Sequence, residues 1–142
     1  MTAQIYASEL FSLIQTVKST KEKVELLQKH NSPIIQSVLY HMFHPDLKYR
    51  ITKIPDYKKN MVPAGLGDIN MEQALSKIYL IIDGHHRAPV ALTDEKRNIL
   101  TIQLLENMQW KEAEIYEDII QRKSRHGLTK AIVMQAYPGL LG

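Results

Sequence analysis

Cysteine is missing from all 142 residues, which excludes disulfides and thiol chemistry and leaves any zinc site dependent on histidine and carboxylates. The absence fits a reducing cytoplasm, the compartment expected for this chain. Long apolar runs are missing too: the longest, around "IYLIID", falls far short of the ~18 residues a membrane span needs. No membrane partner is therefore expected. The opening "MTAQIYASEL" has neither a basic start nor a long apolar stretch and does not read as a signal peptide. No run alternates with period two for long enough to demand a strand. Acidic residues vanish after Asp118, whereas Arg122, Lys123, Arg125 and Lys130 all follow it.

What is present describes an ordinary globular chain. Apolar residues make up 44% and charged residues 23%, and the length suffices for one domain with a real core. The net charge is only +3, a mild basic bias that by itself says little about partners. Its distribution says more. Between Leu47 and Asn60, Lys48, Arg50, Lys53, Lys58 and Lys59 are offset by Asp56 alone.

Helical periodicity dominates. Leu10, Leu13, Ile14 and Val17 share one face. "STKE" then has the spacing of a capping box, with Ser19 serving the amide of Glu22 and the carboxylate reaching back. A helix to about His30 would bury Val24 and Leu27. Ser32 and Pro33 suit the cap and first position of a third helix, with Ile35, Val38, Leu39 and Met42 inward. His44 to Asp68 is broken by prolines and glycines and reads as an irregular basic connection. Helix returns at "NMEQALSKIYLII", capped by Asn70, with Met71, Ala74, Leu75, Ile78, Ile81 and Ile82 on one face. "DEKRNILTIQLLENM", started by Thr93 or Asp94, is apolar on more than one side and is expected to be central in the core. "WKEAEIYEDII" should turn Ala113, Tyr116 and Ile120 inward. A last helix begins near Thr129 and ends before Pro138. The expectation is an all-α chain, one compact helical domain over residues 1–142 of about six or seven helices.

Motifs for chemistry are scarce. His41, His44 and Asp46 could approach a metal, but no fourth ligand is evident, and polar residues at a helix end explain them better. His85 and His86 follow Gly84 in a turn. There is no metalloprotease His-Glu-x-x-His, no phosphate loop ending in Gly-Lys-Ser/Thr and no nucleophile elbow. No catalytic residue, metal site or cofactor is expected in this chain.

The stretch "QRKSRHGLTKAIVMQAYPGLL", Gln121 to Leu141, stands apart. Arg122, Lys123 and Arg125 crowd up to Gly127, and Thr129 opens a helix that carries Lys130. Free amides and the positive dipole end of a helix start favour phosphate, and glycine permits close backbone approach. These residues fit docking on a nucleic-acid backbone. They fit equally a solvated basic face on a helix hairpin with Gly127 as its C-cap.

Four blocks in order, "STKEKVELLQKH", "LKYRITKIP", "LTDEKRNILTIQLLENM" and "GLTKAIVMQAYPGLL", resemble the N-terminal DNA-binding domain of the ATP-dependent DNA ligases of T-even bacteriophages. In that family a Ser-Thr-Lys-x-Lys block follows the first helix, a Leu-x-Tyr-x-Ile-x-Lys segment precedes a proline, and a glycine, short helix and aromatic lead to Pro-Gly-Leu. Related domains of larger ligases carry a basic-Leu-basic-x-Gly pattern near DNA. Here "RKSRHG" keeps the basic residues without the leucine.

The resemblance implies a monomeric all-α module that grips nicked duplex DNA in replication and repair, without sequence preference, in the cytoplasm of a phage host. Arg122, Lys123, Arg125, Gly127, Thr129 and Lys130 would be the first DNA contacts, with Lys48, Arg50, Lys53 and Arg87 second. Arg125 and Lys130 are expected to be exposed, so that alanine at either would shift stability by no more than ~0.5 kcal/mol. A ligase needs a lysine in Lys-x-Asp-Gly; Asp83-Gly84 is preceded by two isoleucines instead. ATP and magnesium would belong to a nucleotidyltransferase domain that lies outside this chain, as expected from its end at Gly142. The alternative is a free-standing phage protein that uses the same fold to bind a protein partner.

Overall fold

Short polar side chains start the helices as the sequence suggests. Ser19 Oγ accepts from the Glu22 amide at 3.1 Å, Ser32 Oγ from Ile35 at 3.3 Å, Asn70 Oδ1 from Gln73 at 2.8 Å, Thr93 Oγ1 from Lys96 at 3.2 Å and Thr129 Oγ1 from Ile132 at 3.3 Å. Each satisfies an amide that the helix itself leaves without a partner. A computed structural model describes residues 5–51 and 53–142. Residues 1–4, which open the stretch read for a leader, and Thr52, inside the basic connection, lie outside the described residues.

The chain is all-helical. In order come α1 (Ala7–Thr16), α2 (Thr20–Lys29), α3 (Pro33–Phe43), α4 (Met71–Leu75), a 3₁₀ turn (Ile78–Ile81), α5 (Asp94–Asn107), α6 (Trp110–Gln121) and α7 (Lys130–Ala136). Among the described residues there is no strand, only isolated bridges such as Tyr49 with Ile82 and Ile69 with Met108. The capping box at Ser19 is incomplete: Ser19 Oγ donates to Glu22 Oε1 at 3.0 Å, and the amide of Ser19 does not take part.

The core gathers around α6. Ala113, Ile115, Tyr116 and Ile119 are fully buried, Ile120 nearly so, and α6 packs against α1, α3 and α5. The inward sets expected for α3 and for Met71 to Ile82 are all buried. Leu27 of α2 is buried as expected, while Val24 is half-buried.

Three expectations need correction. On α1, Leu13 is 44% exposed and Phe11 is buried in its place, because the helix turns the Leu10–Phe11–Ile14 edge to the core. The segment from Asn70 to Ile82 is two pieces. α4 stops at Leu75, where Ser76 Oγ bonds the Gln73 carbonyl at 2.6 Å, and the chain resumes as the 3₁₀ turn with the same residues inward. Lastly, α5 is peripheral. It buries only Arg97, Thr101 and Leu105, and Ile99 is 48% exposed. Its neighbour is α6 alone among the α-helices in close packing, so Leu100, Ile102 and Leu104 are only half-buried and Ile99 faces solvent.

Candidate nucleic-acid interface

The basic stretch after α6 begins with a backbone reversal. Arg122 caps α6 in the left-handed region, φ 62° and ψ 34°, and its amide donates to the carbonyls of Asp118 and Ile119. A non-glycine residue there is strained, and its side chain supplies compensation. The guanidinium donates to the carbonyl of His41 at 3.2 Å and to that of His44. It therefore serves the last turn of α3, where carbonyls lack helical partners and the dipole favours a cation. The C-cap is thus Arg122 itself, and Gly127 has a different task further along.

The reversal folds Arg125 back along α6. Its Nε donates to Asp118 Oδ1 at 2.9 Å, Nη1 lies 2.9 Å from Glu114 Oε2, and Nη2 lies 3.4 Å from Glu117 Oε1. The Arg125 amide takes the other oxygen of Asp118 at 2.9 Å. Asp118 is 2% exposed, so this pair anchors the loop. Arg125 is exposed, as expected, yet its guanidinium is not free: it meets three carboxylates because the αL reversal brings it back over the helix it follows. The hydroxyl of Tyr57 also donates to Glu117, which fastens the basic connection to the same helix.

Lys123, Thr129 and Lys130 are exposed. Gly127 has φ +83°, a conformation that side chains other than glycine resist. Its carbonyl accepts from Lys23 Nζ at 3.3 Å. Lys23 belongs to α2, and sequence reasoning missed it. Two further bonds fix the pairing of α2 and α7: Gln28 Nε2 donates to the Ala136 carbonyl at 3.4 Å, and the Tyr137 hydroxyl donates to the Leu27 carbonyl. Burial pushes the Tyr137 phenol up to about 12, so it remains a donor at neutral pH. The packing of α2 on α7 therefore sets Lys23 beside the acid-free segment. The signal available in the sequence was the lysine-rich composition of α2, but nothing in it said which helix α2 meets.

The second group lies elsewhere on the backbone. Lys48 and Arg50 lie against the turn at Asp83, and Arg87 follows that turn in the chain. Asp83 N donates to the Lys48 carbonyl at 2.7 Å and Arg50 N to the Ile81 carbonyl at 2.7 Å. The Arg50 guanidinium is 3.4 Å from Asp83 and 3.1 Å from Asp94. Hydrogen bonding to Arg50 holds the Asp94 carboxyl below its ordinary range. Arg87 stacks over the Tyr79 ring at 5.0 Å, and His85 and His86 stack on each other at 4.8 Å. Lys53 is exposed and makes no contact with this group among the described side-chain bonds. Arg97, which the sequence reading did not single out, is 8% exposed and donates to the Leu80 carbonyl and Asp94.

Both histidines considered as metal ligands have ring nitrogens engaged by the backbone. His41 Nδ1 is 2.7 Å from the Ser37 carbonyl, and His44 Nδ1 accepts from the Asp46 amide at 3.1 Å. Among the described residues no group of three or more histidines and carboxylates is placed to hold a metal, and no helix is long and apolar enough to cross a membrane.

Comparison with curated proteins finds no match. The model of DUF6433, a family of unknown function, matches residues 10–126, from within α1 to the histidine before Gly127. Most of the core and the anchored loop fall inside that span, and the chain belongs to this family.

Proposed function

We propose that the chain binds duplex DNA without sequence preference, as a gripping module of the phage DNA-ligase type acting at nicks. The observation that carries the reading is the meeting of α2 and α7 at Gly127, where the Lys23 ammonium reaches the Gly127 carbonyl within the acid-free segment that also carries Lys123 and Lys130. The resemblance of four ordered sequence blocks to the ligase DNA-binding domain supports it. In this reading Lys23, Lys123 and Lys130 contact phosphates, and the Thr129 hydroxyl stands next to them. Arg122 and Arg125 act by holding the loop in place. Lys48, Lys53 and Arg87 extend the contact along the duplex. Phosphate contacts supply affinity and placement, and base contacts contribute little.

Titration of a labelled nicked duplex at several salt concentrations tests this. Each phosphate neutralised should contribute roughly 0.9 to the slope of log affinity against log salt. Alanine at Lys23, Lys123 and Lys130 together should reduce that slope by about 2–3 and leave the helical spectrum unchanged. Absence of binding at low salt, or a slope untouched by the triple change, would favour a protein partner in place of DNA.

A further inference from the structure

Trp110 is the sole tryptophan of the chain, and two ammonium groups stand over its ring. Lys59 Nζ lies 5.7 Å from the ring centroid and Lys111 Nζ 5.4 Å. The residue opens α6 and is half-buried. Its indole N–H has no protein partner among the described hydrogen bonds, yet it is not sealed. The unpartnered side-chain atoms shut off from solvent belong to Glu112, Tyr116 and His126.

Backbone fixes this arrangement. The Trp110 amide donates to the Asn60 carbonyl at 3.0 Å, which sets Lys59 of the basic connection beside the ring. Asn60 Nδ2 donates to the Glu106 carbonyl at 3.2 Å, and Gln109 Oε1 accepts from the Lys111 amide at 3.0 Å. The two lysines arrive on separate segments, so their convergence on one indole is a product of the fold.

A cleft of about 390 Å³ adjoins the ring. Trp110, Lys111 and Glu114 of α6 line it together with Ser12 and Gln15 of α1, and it reaches Arg125 and His126 of the anchored loop. It thus extends to the residue before Gly127, where Lys23 meets the acid-free segment. Glu114 brings a negative charge, but Arg125 Nη1 answers it at 2.9 Å and Lys59 stands 3.9 Å away. Lys111 is exposed and has no acidic partner among the described ion pairs.

An aromatic face with cations beside it suits a nucleotide: a base stacks on the ring and the cations take the phosphates. Bases within a duplex are already stacked on their neighbours, so the ring is addressed by a base that has lost its pair. Both lysines are exposed, so each ammonium can leave the ring for a phosphate as the base arrives. The cleft volume falls within the roughly 300–1,000 Å³ of small-molecule sites, on the scale of one nucleotide. We propose that the Trp110 cleft holds an unpaired nucleotide of DNA, its base stacked on the indole and its phosphates paired with Lys59 and Lys111. The class of ligand rests on the DNA reading above, whereas these three residues are ones that reading does not use.

Tryptophan emission, excited where tyrosine does not absorb, reports on this site alone. A nicked duplex with a short single-stranded flap and a short oligothymidylate should each quench it saturably. A plain nicked duplex, its binding followed by the anisotropy of a labelled strand, should leave it unchanged. The flap should raise affinity about fivefold or more, the worth of one stacked base. Trp110→Phe keeps a stacking ring and should retain most of this gain, whereas Trp110→Leu should lose it. Glutamine at both Lys59 and Lys111 should lower the salt slope for oligothymidylate by about 1.4. That variant decides the matter should Trp110→Leu fail to fold, and an unchanged slope overturns the proposal. Emission unmoved by both flap and oligothymidylate, equal quenching by plain and flapped duplex, or a flap gain undiminished in Trp110→Leu would overturn it as well. In those cases binding of the plain duplex would leave the duplex reading standing. Quenching by oligothymidylate without any binding of plain duplex would end the duplex reading and keep this site.

Discussion

Arg125 carries one charge and meets three carboxylates, so its removal is felt inside the protein. Arg125→Ala should lower the unfolding free energy by about 1–3 kcal/mol, because Asp118 would keep only the backbone amide of position 125. The partial exposure of the guanidinium keeps the loss below that of a fully buried pair. Lys130→Ala, at an exposed position, should change stability by no more than ~0.5 kcal/mol. Urea unfolding of the two variants separates them, and equal midpoints would contradict the anchoring role. The positive charge of Arg125 was readable in the sequence, but its destination was not. Asp118, Glu117 and Glu114 precede it on a helix the chain has already left. Only the αL turn at Arg122, which no local pattern announces at an arginine, returns the loop to them. Lys23 was hidden for the opposite reason: its contact with Gly127 depends on which helix α2 meets.

Among the elements, α5 and α6 show how far periodicity carries. The N-caps at Ser19, Ser32, Asn70, Thr93 and Thr129 follow from local chemistry, with Thr93 taking the role that the sequence left open between it and Asp94. The rank of a helix in the core depends on its neighbours. α5 has apolar residues on several sides, yet Ile99 remains 48% exposed, while α6 is flanked by α1, α3 and α5 and turns its apolar side wholly inward. Ile119→Ala should therefore cost about 2–5 kcal/mol as a cavity in a packed site. Ile99→Ala should stay within about 1 kcal/mol. Chemical denaturation measures both, and a larger loss at Ile99 would mean that α5 is more deeply packed than described. The break after Leu75 belongs to the same lesson. The i, i+3, i+4 pattern of Met71 to Ile82 fits a continuous helix and equally an α-turn followed by a 3₁₀ turn, since both bury the same side chains.

For the molecule as a whole, the acid-free C-terminal segment was visible at once, and the face it forms with α2 only after folding. Stability has its own response to pH. Burial lowers the imidazoles of His41 and His126 below their ordinary 6.5. The unfolded chain takes up protons near that value while the folded chain resists, so their contribution is complete above 6.5 and is lost as pH falls below it toward the lowered folded values. Glu112 acts with the opposite sign. Its folded value lies above the ordinary 4.5, so the folded chain holds the proton longer and gains stability as pH falls through that higher window. Thermal midpoints should decline from pH 7 to pH 6, and replacing both histidines with glutamine should flatten the decline; a flat profile in the unaltered chain would contradict the burial described. The clasp of α2 and α7 has a consequence in time. Lys23 with Gly127, Gln28 with Ala136 and Leu27 with Tyr137 are contacts between residues 104, 108 and 110 positions apart. During synthesis α2 leaves the ribosome long before its partner exists. It must wait, with one flank uncovered, until translation has passed Tyr137. Contacts of such long sequence range are slow to close, so the formation of this face is timed by the synthesis of α7.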